Sequence, residues 1–206
     1  MQREGRARVL FVDIENSPYE VYSWDNNPKT PISHDNIIRE AHMISVAWKW
    51  AGSDRVYSKM IPRGSRNDRE LTKTIKRVMA HADVVIAHFG DGHDIPWIQT
   101  RCLVHGLGPL NEVLQVDTWK IARNRFKCFN NKLDYFAKKL GLGAKLDTTF
   151  GLWKDVLAGD RKARRTMLRY NKEDVRLLER VWKRIRPFAE VPRRMATTPR
   201  LKKLVY

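Results

Sequence analysis

Cysteine is scarce: Cys102 and Cys128 are the only two in 206 residues. Neither has a second Cys at zinc-ligand spacing, and no zinc finger or disulfide framework is implied. A reducing compartment is the expectation. Long apolar runs are missing too. No stretch approaches the roughly 20 apolar residues of a membrane-spanning helix. The opening Met1-Gln2-Arg3-Glu4-Gly5-Arg6 is charged where a secretory leader is apolar. These absences lead to an expectation of an intracellular, cytoplasmic chain without a membrane partner. Neither an internal repeat nor a low-complexity linker is visible. The length suits one domain over residues 1–190, followed by a basic, flexible tail at 191–206.

Acids are the remaining shortage. The chain has 23 Asp and Glu against 40 Lys and Arg, a formal charge of +17. That excess asks for an anionic partner, nucleic acid first, although a solvated basic surface would also carry it. Two of the scarce acids interrupt an otherwise apolar run, Val9-Leu10-Phe11-Val12-Asp13-Ile14-Glu15-Asn16. Side chains on a strand alternate between faces, so Asp13 and Glu15 project on one side. Either this is a solvated edge strand with a polar face, or the pair is buried and needs a cation.

Further along, Glu20–Trp24 alternates like a half-buried strand and residues 25–31 read as a loop. Met43–Trp50 is a strong strand, Ala51–Asp54 a turn and Arg55–Met60 its hairpin partner. Together with the acidic strand these suggest an antiparallel meander. Leu71, Ile75, Val78 and Met79 recur at helical spacing. Val84–Ala87 is a short apolar strand of the kind buried in a parallel sheet. The turn 88–93 follows, with Asp94 placed to cap the next helix. Val113–Asp117 is another strand. Leu133, Phe136, Ala137 and Leu140 mark a helix stopped at Gly141, and Asp147-Thr148 is placed to cap the helix carrying Leu152, Trp153, Val156 and Leu157. A long helix runs from about Asp160 to Ile185. The tryptophans Trp24, Trp48, Trp50 and Trp119 read as core. Strands first, then strand–helix alternation, then helices, give an α/β domain: a mixed sheet flanked by helices.

Two more acids fall where chemistry could use them. Asp94 follows a strand, at the end where α/β sheets collect ligands, though a helix cap would also place it there. Asp174 shares a helical face with Tyr170, four residues earlier, and that face continues into Leu177, Leu178 and Val181. An inward Asp needs an ion-pair partner or a metal. Four carboxylates suit Mg²⁺ or Mn²⁺, and two such ions roughly 3.5–4 Å apart can clamp a phosphoryl displacement.

With these residues in view, the chain resembles the DEDD superfamily of 3′→5′ exonucleases, which share the ribonuclease H-like fold. Val12-Asp13-Ile14-Glu15 matches the first motif. Ala87-His88-Phe89-Gly90-Asp91-Gly92-His93-Asp94-Ile95-Pro96-Trp97 matches the second, and Tyr170-Asn171-Lys172-Glu173-Asp174-Val175 the third. The tyrosine four residues before the last Asp resembles the tyrosine branch. Asp117-Thr118, Lys132-Leu133-Asp134 and Leu140-Gly141-Leu142 are similar to its connecting segments. The likeness covers about Val9 to Pro187. Relatives usually carry an Asn and an aromatic where this chain has Phe89 and His93.

The resemblance implies a mixed sheet with antiparallel strands first and parallel strands after. It also implies Asp13, Glu15 and Asp174 on the ion that activates water, Asp13 and Asp94 on a second ion, and Tyr170 orienting the water. The product would be a 5′-mononucleotide. DNA is the expected substrate, with RNA as the alternative. A non-catalytic nucleic-acid-binding module is a further alternative. A polymerase or replication protein in trans is a possible partner. Phe89 and His93, the cluster Arg123, Arg125 and Lys127, and the run Arg161, Lys162, Arg164 and Arg165 are candidates for contacts to the strand. The acidic strand is expected at the centre of the sheet, with both acids facing the last helix.

Overall fold

The computed structural model describes residues 7–24 and 31–189. The tail at 191–206 and most of the loop at 25–31 lie outside the described residues. In chain order the strands are β1 (Val9–Asn16), β2 (Glu20–Val21), β3 (Ile37–Arg39), β4 (Met43–Trp50), β5 (Val56–Met60), β6 (Val84–Ala87) and β7 (Leu114–Asp117). Five of them form one sheet in the order β5-β4-β1-β6-β7. The pairs β1–β4 and β4–β5 are antiparallel, while β1–β6 and β6–β7 are parallel. The mixed α/β fold follows the sequence reading, and β1 is its middle strand.

The helices are α1 (Arg69–Met79), α2 (Asp94–Val104), α3 (Thr118–Arg125), α4 (Leu133–Lys139), α5 (Phe150–Leu157) and α6 (Arg161–Ile185). They cover two apolar faces. Leu10, Val12 and Ile14 pack in a cluster with Ile75 of α1, Ile98 of α2 and Met167 of α6. Val9 and Phe11 pack in a second cluster with Phe136 of α4 and Val175 and Leu178 of α6. Each of these five β1 side chains is at most 4% exposed, and burying one is worth roughly 1.5–3 kcal/mol. That drive holds β1 in the centre even though Asp13 and Glu15 come with it. By alternation they share the face of Val9 and Phe11, at its C-terminal end. Among the described residues, no helix is long and apolar enough to cross a membrane.

Several expectations need correction. The meander is β1-β4-β5; β2 leaves the main sheet and pairs antiparallel with β3 in a separate ribbon. The strand at Glu20–Trp24 shrinks to two paired residues, because alternation alone cannot tell a sheet strand from a surface ribbon. Trp24 is not core but fully exposed, at 103%. Thr149, not Asp147-Thr148, precedes α5, and its side chain makes no capping bond. Asp94 is the first residue of α2 rather than its cap, since His93 holds the cap position. Asp160 does cap α6, its carboxylate accepting from the Ala163 amide at 2.6 Å.

Candidate active site

The four acids meet at the C-terminal end of β1. Ligand-capable oxygens of Asp13, Glu15 and Asp174 all lie within 4.8 Å of one another. Asp94 is buried beside them, held by a different contact: its Oδ1 accepts the Ile14 amide at 3.1 Å. The reason is in the pairing. The β1–β6 ladder ends at Phe11↔Ile86, so the amide of Ile14 has no strand partner on that side and takes a carboxylate in its place. Asp94 thus continues the ladder while adding its charge to the site.

Asn171, next to Tyr170 on α6, is a functional candidate that the sequence reading did not single out. It is fully buried, donates Nδ2 to Asp13 Oδ2 at 2.5 Å and accepts from Ser45 Oγ at 3.1 Å. Ser45 of β4 pairs with Glu15, so Asn171 stitches the acid strand, its neighbour and the last helix together. Lys145, in the loop between α4 and α5, was also unforeseen. Its ammonium lies 2.6 Å from Asp174 Oδ2 and donates to the Tyr170 hydroxyl at 3.1 Å. The loop is anchored by the Lys145 amide, which donates to Asp134 Oδ1 at 2.8 Å. Periodicity gives no hint of Lys145, one of 40 basic residues. For Asn171 there was one faint signal: an amide on the inward face of an apolar helix.

The electrostatics are those of anions held out of water. Burial, then the charges of Asp174, Glu15 and Asp94, push Asp13 well above the usual carboxylate range, with Lys145 pulling the other way. Burial raises Glu15 to about 8 and Asp94 to about 7, again against Lys145. Asp174 is raised by burial with Lys145 opposing. Burial and then the Asp174 charge push the Tyr170 hydroxyl upward. Burial works against the Lys145 ammonium, but the Asp13 and Asp174 carboxylates outweigh it and hold the proton on.

This donor set fits hard divalent cations. Every ligand is a carboxylate oxygen, and both Asp174 oxygens are buried without a partner of hydrogen-bonding geometry. The raised carboxylates report burial first and mutual repulsion second, and a single lysine does not offset the two.

The remaining candidates spread out from this centre. Phe89 is 44% exposed in the turn before α2, its ring edge-on to Trp119 at 5.0 Å between centroids. His93 makes no bond to Asp94; its Nε2 accepts from Asn16 Nδ2 at 3.3 Å, and burial lowers its pKa. Arg123, Arg125 and Lys127 are exposed at the end of α3, with Arg123 over the Trp119 ring at 5.2 Å. Arg161, Lys162 and Arg165 are exposed on the first turns of α6. Arg164 is the exception: it turns inward and donates to the Ile61 carbonyl at 2.6 Å, so it braces α6 against the end of β5.

A family model described as the RNase_H superfamily matches residues 30–186, a span that includes Asp94, Tyr170 and Asp174 and begins after β1. The structure of a family B DNA polymerase from the hyperthermophilic archaeon Pyrobaculum calidifontis is similar, with a TM-score of 0.67 at 18% identity. The match covers 89% of this chain and 25% of the polymerase, so the chain spans about a quarter of that protein's length. At that identity the likeness is one of fold. No curated protein matches the sequence.

Proposed function

This chain belongs to the RNase H superfamily, and we propose that it is a divalent-metal-dependent 3′→5′ exonuclease acting on single-stranded DNA ends. The observation that carries this reading is the convergence of Asp13, Glu15 and Asp174 within 4.8 Å, with Asp94 buried alongside. Asp13, Glu15 and Asp174 would hold one Mg²⁺ or Mn²⁺, and Asp13 with Asp94 a second. When bound, such a pair supplies a water nucleophile at neutral pH and offsets charge on the attacking and leaving oxygens.

The protein's own groups account for the rest. Asn171 fixes the Asp13 carboxylate through Oδ2, which removes the freedom that a strand-end side chain would otherwise have. The hydroxyl of Tyr170 is raised in pKa by burial and by Asp174, so it stays protonated at neutral pH. It therefore positions the attacking water and does not act as a general base. Lys145 stays charged in the same place, where it meets the carboxylates and, on substrate binding, the scissile phosphate. Attack on the last phosphodiester releases a 5′-mononucleotide. The basic surface of α3 and α6 supplies backbone contacts whose strength falls with salt. The work fits a partner polymerase acting in trans.

The test is digestion of a single-stranded oligomer labelled at the 3′ or the 5′ end, in Mg²⁺, Mn²⁺ and EDTA, in deoxy and ribo versions. Immediate release of the 3′ label, a shortening 5′-labelled ladder and no reaction in EDTA are the expected results. Release from the 5′ end, or digestion in EDTA, overturns the reading.

A further inference from the structure

Ser45 is a fully buried hydroxyl on the acid face of the sheet, and the proposed chemistry gives it no part. It stands on β4 directly opposite Glu15, so its side chain shares the face of Asp13 and Glu15. A neutral hydroxyl has one hydrogen to give. The Glu15 carboxylate across the strand pair is an evident acceptor for it. The hydroxyl donates instead to Asn171 Oδ1 on α6, at 3.1 Å.

Asn171 can face only one way. Its Nδ2 meets two acceptors of Asp13, the carboxylate Oδ2 at 2.5 Å and the backbone carbonyl at 3.2 Å. An NH2 group satisfies both and an amide oxygen neither, so the oxygen of Asn171 is turned to Ser45. Two hydrogen bonds thus run from β4 through α6 to β1. Both links are neutral. Lys145 steadies Asp174 with a full positive charge that competes with a metal ion. The Ser45–Asn171 chain holds Asp13 and leaves its charge intact. It spends one lone pair of Oδ2, and Oδ1 stays open to a cation. Asn171 is fully buried, so without the Ser45 hydroxyl its oxygen would have no donor. The amide can leave that state only by turning, which gives up Asp13.

We propose that Ser45 is a positioning residue: acting through Asn171, it holds the Asp13 carboxylate in the orientation that takes a divalent ion. This rests on the metal-dependent exonuclease reading above. Groups that orient a metal ligand without touching the metal raise affinity by removing freedom from that ligand. Ser45 does so from a neighbouring strand, two hydrogen bonds away from the carboxylate it serves.

The experiment titrates Mn²⁺ calorimetrically, without nucleic acid, into the wild type, Ser45→Ala, Asn171→Ala and the double variant, each checked for folding by circular dichroism. Ser45→Ala is expected to weaken Mn²⁺ binding about 10-fold. The double variant should bind no worse than Asn171→Ala alone, because the serine acts through the amide. Turnover of a single-stranded DNA oligomer by Ser45→Ala should need correspondingly more Mn²⁺, while KM for the oligomer at saturating Mn²⁺ does not move. A serine that merely supports the fold would lower the melting temperature and leave the Mn²⁺ affinity alone. Should Ser45→Ala not fold, Ser45→Cys, close in size and a weak donor, takes its place. Unchanged Mn²⁺ affinity, or losses that add in the double variant, overturn the role of Ser45. Either result leaves intact a wild type that binds Mn²⁺ and digests DNA, and with it the exonuclease reading. A wild type that binds no Mn²⁺ overturns both.

Discussion

Asp68 and Asp174 are both fully buried, yet their surroundings treat them in opposite ways. Asp68 accepts the Met43 amide at 2.9 Å, both Arg101 nitrogens at 2.7 and 2.8 Å and His105 Nε2 at 2.6 Å. Burial alone would raise its pKa, but these partners outweigh it and the net shift is downward. Asp174 has one close cation, Lys145, shared with three other carboxylates, and its pKa goes up. A buried acid whose donors are complete is a structural clamp, here joining β4 to α1 and α2. A group of acids short of donors, with Asp94 and Asp174 buried and Asp13 and Glu15 half-buried, stores repulsion that a divalent ion can release. Burial is therefore uninformative by itself; the completeness of the partner set separates the two sites.

Substitution breaks that comparison most sharply. Asp13→Asn and Asp174→Asn should each lower metal-dependent turnover by about three orders of magnitude or more, while Asp13→Asn leaves the metal-free melting temperature unchanged or higher. Asp68→Ala should do the reverse. It strands Arg101 and His105 and costs about 3–5 kcal/mol in denaturant unfolding, with turnover kept wherever the protein is folded. Swapped outcomes would mean that the clamp and the site have been misassigned.

Tyr170→Phe removes a positioning hydroxyl without removing a ligand. Turnover is expected to fall by about 10- to 100-fold, with little change in unfolding free energy. A single-turnover rate equal to wild type would take away its role.

The two sites also differ in the sign of their pH dependence. Glu15 and Asp94 titrate at about 8 and 7 in the fold against 4.5 and 3.8 as free groups. Raised values mean that stability is full at low pH and is lost as pH climbs through those folded values. In EDTA the melting temperature should thus decline from about pH 5 to pH 8, and Mn²⁺ should raise it more at pH 8 than at pH 6. Asp68, with its lowered pKa, contributes above about pH 4 and loses that contribution on acidification. A metal-free melting temperature that rises from pH 5 to pH 8 contradicts the assigned strain.

Lys145→Met tests how much repulsion the lysine offsets. Its metal-free melting temperature should fall by a few degrees, and the Mn²⁺-induced increment should exceed that of wild type. The smallest expected effect is at the surface. Replacing Arg161 with Gln should weaken oligomer binding modestly and reduce the salt slope by about one unit, whereas Arg164→Gln, which loses the bond to Ile61, should show itself in stability.

Much of this was legible from residue order. The apolar run of β1, the strand pair β4–β5, the parallel strand β6 and the length of α6 follow from local periodicity and chain punctuation. So does the shared face of Asp13 and Glu15, because alternation is a property of any strand. What was misread has a common cause. Glu20–Trp24 has the alternation of a sheet strand, but nothing local says that β3 would be its partner, and Trp24 ended in solvent. For Asp94 only the alternative of a helix cap fails: its neighbours look like a helix start, but its carboxylate takes the Ile14 amide, eighty positions back in the chain.

Residue order carries the acids, their succession along the chain and the elements that hold them, since these elements follow from periods of two and 3.6 residues. Tertiary structure alone decided which donors each acid would meet. Lys145 reaches Asp174 and Tyr170 from a loop, Asn171 clasps Asp13 across the sheet, and Asp117 locks Phe89 into a left-handed turn. Contacts of this kind join residues far apart in sequence through the packing of whole elements. They set the charge balance of the site, and no local pattern encodes them.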